Sequence, residues 1–231
     1  MTELYTSPLF AITAVLAAYQ LAVWLYETSN RLVWLHPTIS GALLVAALLA
    51  SLDIDYHRFS DAAYWLTFWL GPATVALAIP LYQQWHLIRK MAGPLLLTLI
   101  AGAAFACLSA VAIAWYLGGS EITLLSLSAK SVTTPIAIGI SESVGGLATI
   151  TASAVILTGI VGIVFVNLTM KLCRIDDDHI WGFCLGLSAH AIGTARAFER
   201  SPVAGAFSSL ALCLTGSYSA VFIPLALQWF R

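Results

Sequence analysis

Charge is what this 231-residue chain has least of. Only 9% of its residues are charged, against 60% that are hydrophobic. No polar run is long enough to build a soluble domain, so the composition reads as a polytopic membrane protein in a lipid bilayer. The formal net charge of −1 gives no basis for binding nucleic acid. Cysteine is scarce: Cys107, Cys173, Cys184 and Cys213 form no CxxC pair, and three of them lie in apolar segments. They read as small packing residues, not as disulfides or metal ligands. Five scattered His residues without HExxH argue against a metal site. A catalytic triad, a P-loop and a dinucleotide fingerprint are also missing, so the sequence predicts neither an enzyme nor a resident cofactor. The opening MTELYTSP lacks the basic start of a signal peptide.

What the chain has instead is long apolar runs, and the gaps between charges delimit eight segments. They are Leu4–Tyr26, Leu32–Leu52, Ala62–Ile88, Met91–Ser120, Ile122–Ser141, Ser143–Met170, His179–Ala195 and Ser201–Phe230. The third is interrupted by Gly71-Pro72 and Pro80. The sixth carries Gly159 and Gly162, small residues suited to close helix packing and compatible with a homodimer. The seventh is short and rich in glycine. The expectation is an all-α polytopic membrane protein of seven or eight transmembrane segments, some broken or re-entrant, forming one integral membrane domain over residues 1–231.

The fifth segment decides the topology. If all eight segments cross, Arg31, Arg89, Lys90, Arg196 and Arg200 face Arg58, Lys171, Arg174 and Arg231, which breaks no tie. If the fifth enters and leaves on one face, six basic residues (Arg31, Arg89, Lys90, Lys171, Arg174, Arg231) stand against three. The positive-inside rule then favours the re-entrant version, with the N-terminus outside and the C-terminus cytoplasmic. That version also reverses the third segment relative to the seventh, each of which follows an acidic, His-containing loop. Inverted repeats with broken helices meeting at the midplane are a common plan in secondary transporters. Repeats over 1–120 and 121–231 are therefore expected.

Two stretches carry the polar chemistry. In AKSVTTPIAIGISESVGG (129–146), Lys130 follows an apolar run closely, and a charge at mid-bilayer costs about 2.5–3.5 kcal/mol on insertion scales. Thr134-Pro135 disfavours a continuous helix, because the residue before Pro is pushed out of the α region and Pro has no N–H. Backbone freed in this way is tolerated only against protein or a wet cavity. Lys130 reads as a cationic contact for an anionic solute or as a snorkelling Lys. Ser131, Thr133 and Thr134 can bond a carboxylate or their own helix carbonyls. The partner stretch is SAHAIGTARAFE (188–199). Gly193 and Thr194 set flexible backbone beside Arg196, whose planar fork suits a carboxylate or, equally, Glu199. His190 reads as a solute contact, a proton relay or a packed His. Glu142 reads as a loop carboxylate, outside the primary site.

AKSVTTPIAIGIS, the Gly145-Gly146 pair, SAHAIGTARAFE, GAFSSLAL (205–212) and ATVALAIPLYQQ (73–84) together resemble the LrgB/CidB family. The resemblance covers nearly the whole chain and rests most on the KSVTTP and HxxGTAR elements. It implies a multi-pass protein of the bacterial cytoplasmic membrane, holin- or antiholin-like and linked to murein hydrolase export and autolysis, paired with a small LrgA/CidA-type membrane partner. A fused plant relative is a chloroplast glycolate/glycerate transporter, so the resemblance also implies transport of small monocarboxylates such as glycolate, glycerate or pyruvate. Carried onto this chain, the motif positions are Lys130, Ser131, Thr133, Thr134, Pro135, His190, Gly193, Thr194 and Arg196. The holin-like alternative requires lateral assembly around a polar stripe, whereas the polar residues here concentrate at two breaks.

Overall fold

The computed structural model describes residues 7–76 and 78–228. Every element among them is helical, and the chain divides into two compact units, Met1–Ala78 and Ile79–Arg231.

In the first unit, α1 (Pro8–Thr28) begins on Ser7, whose hydroxyl accepts from the Phe10 amide, with Pro8 at the first helical position. After a 3₁₀ turn (Val33–Leu35), α2 (Pro37–Ser51) starts on His36, whose Nδ1 accepts from the Thr38 amide. Gly41 lets α2 lie close to Ala22 and Tyr19 of α1. The short α3 (Tyr56–Ala62), capped by Asp55, closes a small core of Ala11, Leu49, Phe59 and Ala62. α4 (Tyr64–Ala76) follows and runs through Pro72, so the break expected at Gly71-Pro72 is absent.

The second unit holds α6 (Trp85–Lys90) and the long α7 (Ala92–Tyr116), which follow α5 (Ala78–Gln83). The expected third span is thus a run of short helices, α3 to α6, with turns at Ala63 and Gln84 that no Gly or Pro announces. Gly118, at φ 78°, turns the chain into α8 (Glu121–Ser128), capped by Ser120. A non-helical stretch, 129–133, separates α8 from α9 (Thr134–Val144). Then come α10 (Ala148–Cys173), α11 (Asp178–Arg200) and α12 (Pro202–Gln228).

α8 and α9 form a hairpin. The Ser126 hydroxyl accepts from the Leu147 amide (2.8 Å), and the Thr151 hydroxyl lies 3.0 Å from the Ser126 carbonyl and 2.7 Å from Ser141 Oγ. The last turn of α8, the end of α9 and the start of α10 therefore sit together, while the 129–133 break lies further along α10. Gly145, at φ 92°, makes the left-handed turn out of α9 that a side chain would resist.

α11 is also a hairpin, not a single crossing. His190, at φ 41° and ψ −128°, interrupts it. A straight helix of 23 residues would hold its ends about 33 Å apart. Here Arg200 bonds Asp178 at 2.6 Å, and Ser201 bonds the same carboxylate. A Cβ on Gly193 would stand 2.6 Å from the Leu185 carbonyl, eight residues back. The first arm (178–189) runs antiparallel to α10, since Trp181 Nε1 donates to Asn167 (3.1 Å) while Gly162 meets the Ser188 carbonyl. It runs parallel to α12, with Gly182 against Ala204 and Gly186 against Ser208.

In each case a hairpin precedes a long helix; its first arm is parallel to that helix and its second antiparallel. Because α10 and α12 run in opposite directions, the hairpins enter from opposite ends and their tips meet near the middle of α10. Four helices are long and apolar enough to cross a membrane: Pro8–Thr28, Ala92–Tyr116, Ala148–Cys173 and Pro202–Leu227. They match the first, fourth, sixth and eighth expected segments. The second is a 15-residue helix, and the fifth and seventh are the hairpins. The ends of the first and eighth expected segments, and Arg231, lie outside the described residues.

The fold-back of α11 corrects the basic-residue count. Arg196 and Arg200 stand at the same end as Lys171 and Arg174, not opposite them. Arg89 and Lys90 are there too, because Ile88, Leu95 and Leu99 share a core with Phe183 and Phe207 near the starts of α11 and α12. Glu121 and Glu142 occupy the other end.

Candidate functional site

The 129–133 break is built by its sequence. Pro135 takes the first-turn position of α9, where its missing N–H is harmless. Within the break the backbone makes two turn-like bonds, Lys130 N to the Leu127 carbonyl and Val132 N to the Ala129 carbonyl. Ala129 and Val132 are buried in a core with Ala137, Ile140, Val155 and Ile223. That packing turns Lys130 and Ser131 the other way, onto a cavity of about 550 Å³. Lys130 Nζ lies 3.5 Å from Ser131 Oγ.

The same cavity is lined by Ser188 from the tip of the second hairpin, by Ser109 of α7 and by Thr158 and Gly162 of α10. Phe105, Leu157, Val161 and Phe165 form its apolar wall, and among the described residues no Asp or Glu lines it. One cation and several hydroxyls thus face a groove with apolar walls that is open to the surface.

His190 is 2% exposed, and its Nε2 donates to the Val155 carbonyl at 3.0 Å. This bond fixes the tip of the second hairpin on α10, beside Gly159 and within electrostatic range of Lys130. Gly159 and Gly162 both lie against that tip, so their smallness serves packing inside the chain. The Thr194 hydroxyl bonds the His190 carbonyl and Ser208, both at 2.9 Å, and ties the second arm to α12. Gly193 allows the two arms to touch.

Arg196 lies six residues beyond the tip, pairs with Glu199, and does not line the cavity. Thr133 and Thr134 are half-buried at the start of α9, and Pro135 is exposed beside them. Glu142 is near the far end of α9. Of the nine expected site residues, Lys130 and Ser131 line the cavity itself. Ser188, which opens the SAHAIGTARAFE stretch, joins them, as do Ser109 and Thr158, which the sequence did not single out; the Ser109 and Ser188 hydroxyls also donate to their own helix carbonyls, Ala106 at 3.4 Å and Cys184 at 2.6 Å. Among the described residues no His, Cys, Asp and Glu gather as a metal cluster.

At its mouth the second hairpin is closed by charge. Asp177 caps α11 through the His179 and Ile180 amides, and Asp178 meets Ser201 and Arg200. The Ser201 hydroxyl and then the Arg200 guanidinium hold the Asp178 carboxyl below the usual range. Arg200 also pairs with Asp176 and lies 5.0 Å over the Trp181 ring.

The sequence model of the LrgB-like family matches residues 15–229. The uncharacterized protein YxaC of Bacillus subtilis (strain 168) is 34% identical over 220 residues, covering 95% of each chain. YwbG of the same strain is 36% identical over 197 residues, 85% of this chain and 88% of the relative. The antiholin-like protein LrgB of Bacillus cereus (strain B4264) is 29% identical over 219 residues, again 95% of each chain. No solved structure matches. With four crossing-length apolar helices and a family match over nearly its whole length, this membrane protein belongs to the LrgB-like family.

Proposed function

We propose that the protein is a secondary transporter of small monocarboxylates of the glycolate, glycerate or pyruvate kind. The observation that carries the reading is that Lys130 and Ser131, from one hairpin, and Ser188, from the opposed hairpin, line one cavity. Lys130 holds the carboxylate, and the hydroxyls read the 2-substituent. A single Lys with no carboxylate beside it neutralises one negative charge, which favours a monocarboxylate over a dicarboxylate. The two hairpin-and-helix pieces, 121–173 and 178–228, have the same internal plan in opposite directions. That supports an inverted repeat within the second unit, the arrangement that lets one solute site open alternately to either side.

The basic residues Arg89, Lys90, Lys171, Arg174, Arg196 and Arg200 at one end make that end cytoplasmic in a bacterial inner membrane. The second hairpin then enters from the cytoplasm, and α12 ends outside, the reverse of the orientation that the segment count predicts for the C-terminus. Uptake of labelled glycolate or pyruvate into proteoliposomes tests the reading. Lys130→Ala should lower uptake by about ten- to a hundredfold, the loss of a charge-assisted contact. Uptake unchanged by Lys130→Ala would refute the site.

The antiholin-like name of the Bacillus cereus relative supports a second reading, a protein that modulates a membrane pore. Large non-selective dye leakage from vesicles holding the purified protein would favour it over carriage.

A further inference from the structure

The end of α10 carries a second polar cavity, of about 370 Å³, at the mouth of the second hairpin. Asn167, Met170, Lys171 and Arg174 line it from one face of α10, at three- and four-residue spacing. Asp176, Trp181 and Arg200 line it from the hairpin side. Trp181 is 5% exposed, and its Nε1 donates to Asn167 Oδ1 at 3.1 Å. That bond orients the Asn167 amide, whose Nδ2 hydrogens have no acceptor among the described residues.

The acceptors around the cavity are already used. Asp178 and Asp176 hold Arg200, and Asp177 holds the α11 amides and His179. The Met170 carbonyl accepts from the Ile175 amide and the Lys171 carbonyl from the Arg174 amide. Lys171 and Arg174 have no carboxylate partner among the described residues. What remains is a set of N–H donors and two uncompensated cations, which together suit an anion with several acceptor oxygens.

The depth of the cavity selects the anion. α10 is a crossing-length apolar helix that ends at Cys173, and Asn167 lies six residues, about 9 Å, short of that end. The cavity thus runs from the headgroup layer to the edge of the hydrocarbon. Leu168, the neighbour of Lys171 one turn back, and Leu172 are exposed, so acyl chains have an apolar track beside the cations. A soluble phosphate would gain nothing from that track. Basic pockets at the ends of membrane helices are suited to anionic headgroups.

We propose that this cavity binds the headgroup of an anionic phospholipid, Lys171 and Arg174 pairing with the phosphodiester and Asn167 Nδ2 donating to it. The site is independent of the carrier reading, since none of these residues lines the Lys130 cavity. A lipid held there joins the end of α10 to Arg200 at the mouth of the second hairpin.

The test is thermal unfolding of the purified full-length protein in neutral detergent at constant ionic strength, titrated with phosphatidylglycerol, phosphatidylcholine or inorganic phosphate. Phosphatidylglycerol should raise the melting temperature saturably, and the other two should not. The Lys171→Gln, Arg174→Gln double variant should need about twentyfold more phosphatidylglycerol for the same shift. Arg89→Gln with Lys90→Gln removes equal charge at the same end but outside the cavity, and should behave as the wild type. Arg174→Gly removes one cation at a backbone of φ 55° that glycine prefers, so it should fold at least as well and weaken binding about fivefold. Unchanged affinity in the cavity variants, or equal losses in the cavity and control pairs, would overturn the site. So would a wild type that phosphatidylglycerol stabilises no more than phosphatidylcholine. Inorganic phosphate that matches phosphatidylglycerol at equal concentration would overturn the lipid as its occupant.

Discussion

The two hairpins solve the same mechanical problem by different means. The first breaks its helix by covalent chemistry: Pro135 and the restricted residue before it end regular structure, and five residues of open backbone form the tip. The second has no Pro at its tip. A single residue, His190, turns the chain in a backbone conformation at φ 41° that favours glycine, and the arms then close on Gly193. What holds that turn is tertiary: Nε2 to the Val155 carbonyl, Thr194 to Ser208, and the Asp178–Arg200–Ser201 cluster at the mouth. A break specified by local chemistry is robust to its surroundings, whereas a break imposed by packing lasts only while the packing does.

The largest effect should come from pushing the second hairpin off α12. A Cβ at Gly186 would overlap the Ser208 carbonyl, so Gly186→Val should destabilise the protein by about 3 kcal/mol or more. A Cβ at Gly139 in the first hairpin meets nothing within 4 Å, so Gly139→Ala should be neutral or slightly stabilising. Thermal unfolding of the detergent-solubilised variants checks both. Similar losses from the two would show that the arms are not seated as described.

A change of sign is expected at His190. In a continuous helix Ala is better than Gly by about 1 kcal/mol. At φ 41° the order should invert: His190→Gly loses the bond to Val155 but relieves the backbone, and His190→Ala loses the bond and keeps the strain. The glycine variant should therefore be the more stable by about 1 kcal/mol. An alanine variant that melts higher than the glycine one would mean that α11 is not turned at His190.

The smallest effect is electrostatic. The Asp178 carboxyl is held below its usual 3.8 by Ser201 and Arg200, so its contribution is present above about pH 4 and lost as pH falls through the lower folded value. Asp178→Asn should lower the melting temperature slightly at pH 7 and abolish this part of the acid sensitivity. The side chains are about one-third exposed, so the effect is modest. An unchanged acid profile in the asparagine variant would remove Asp178 from the closure.

These contrasts also explain what the sequence made legible. The apolar runs announce long helices, and Thr134-Pro135 announces the first break, because both signals are local. The second hairpin left only weaker marks, a short segment rich in glycine. Its glycines read as flexibility but serve close contact: Gly182 and Gly186 on α12, and Gly193 on the opposite arm. The side on which Arg196 and Arg200 stand was lost with the turn at His190, and the topology count with it. Arg196 stood out for its planar fork beside flexible backbone, with Glu199 as the equal alternative; the structure pairs it with Glu199, away from the cavity.

The central claim is that the tips of two oppositely directed hairpins meet at one solute site. Its most direct test replaces the native cysteines and places Cys at Ser131 and Ser188, one on each tip, in protein reconstituted into vesicles. The two should be joined by a short bifunctional thiol reagent within one chain, and glycolate should slow the reaction. No cross-link at either position of the pair, in protein that still folds and inserts, would contradict it.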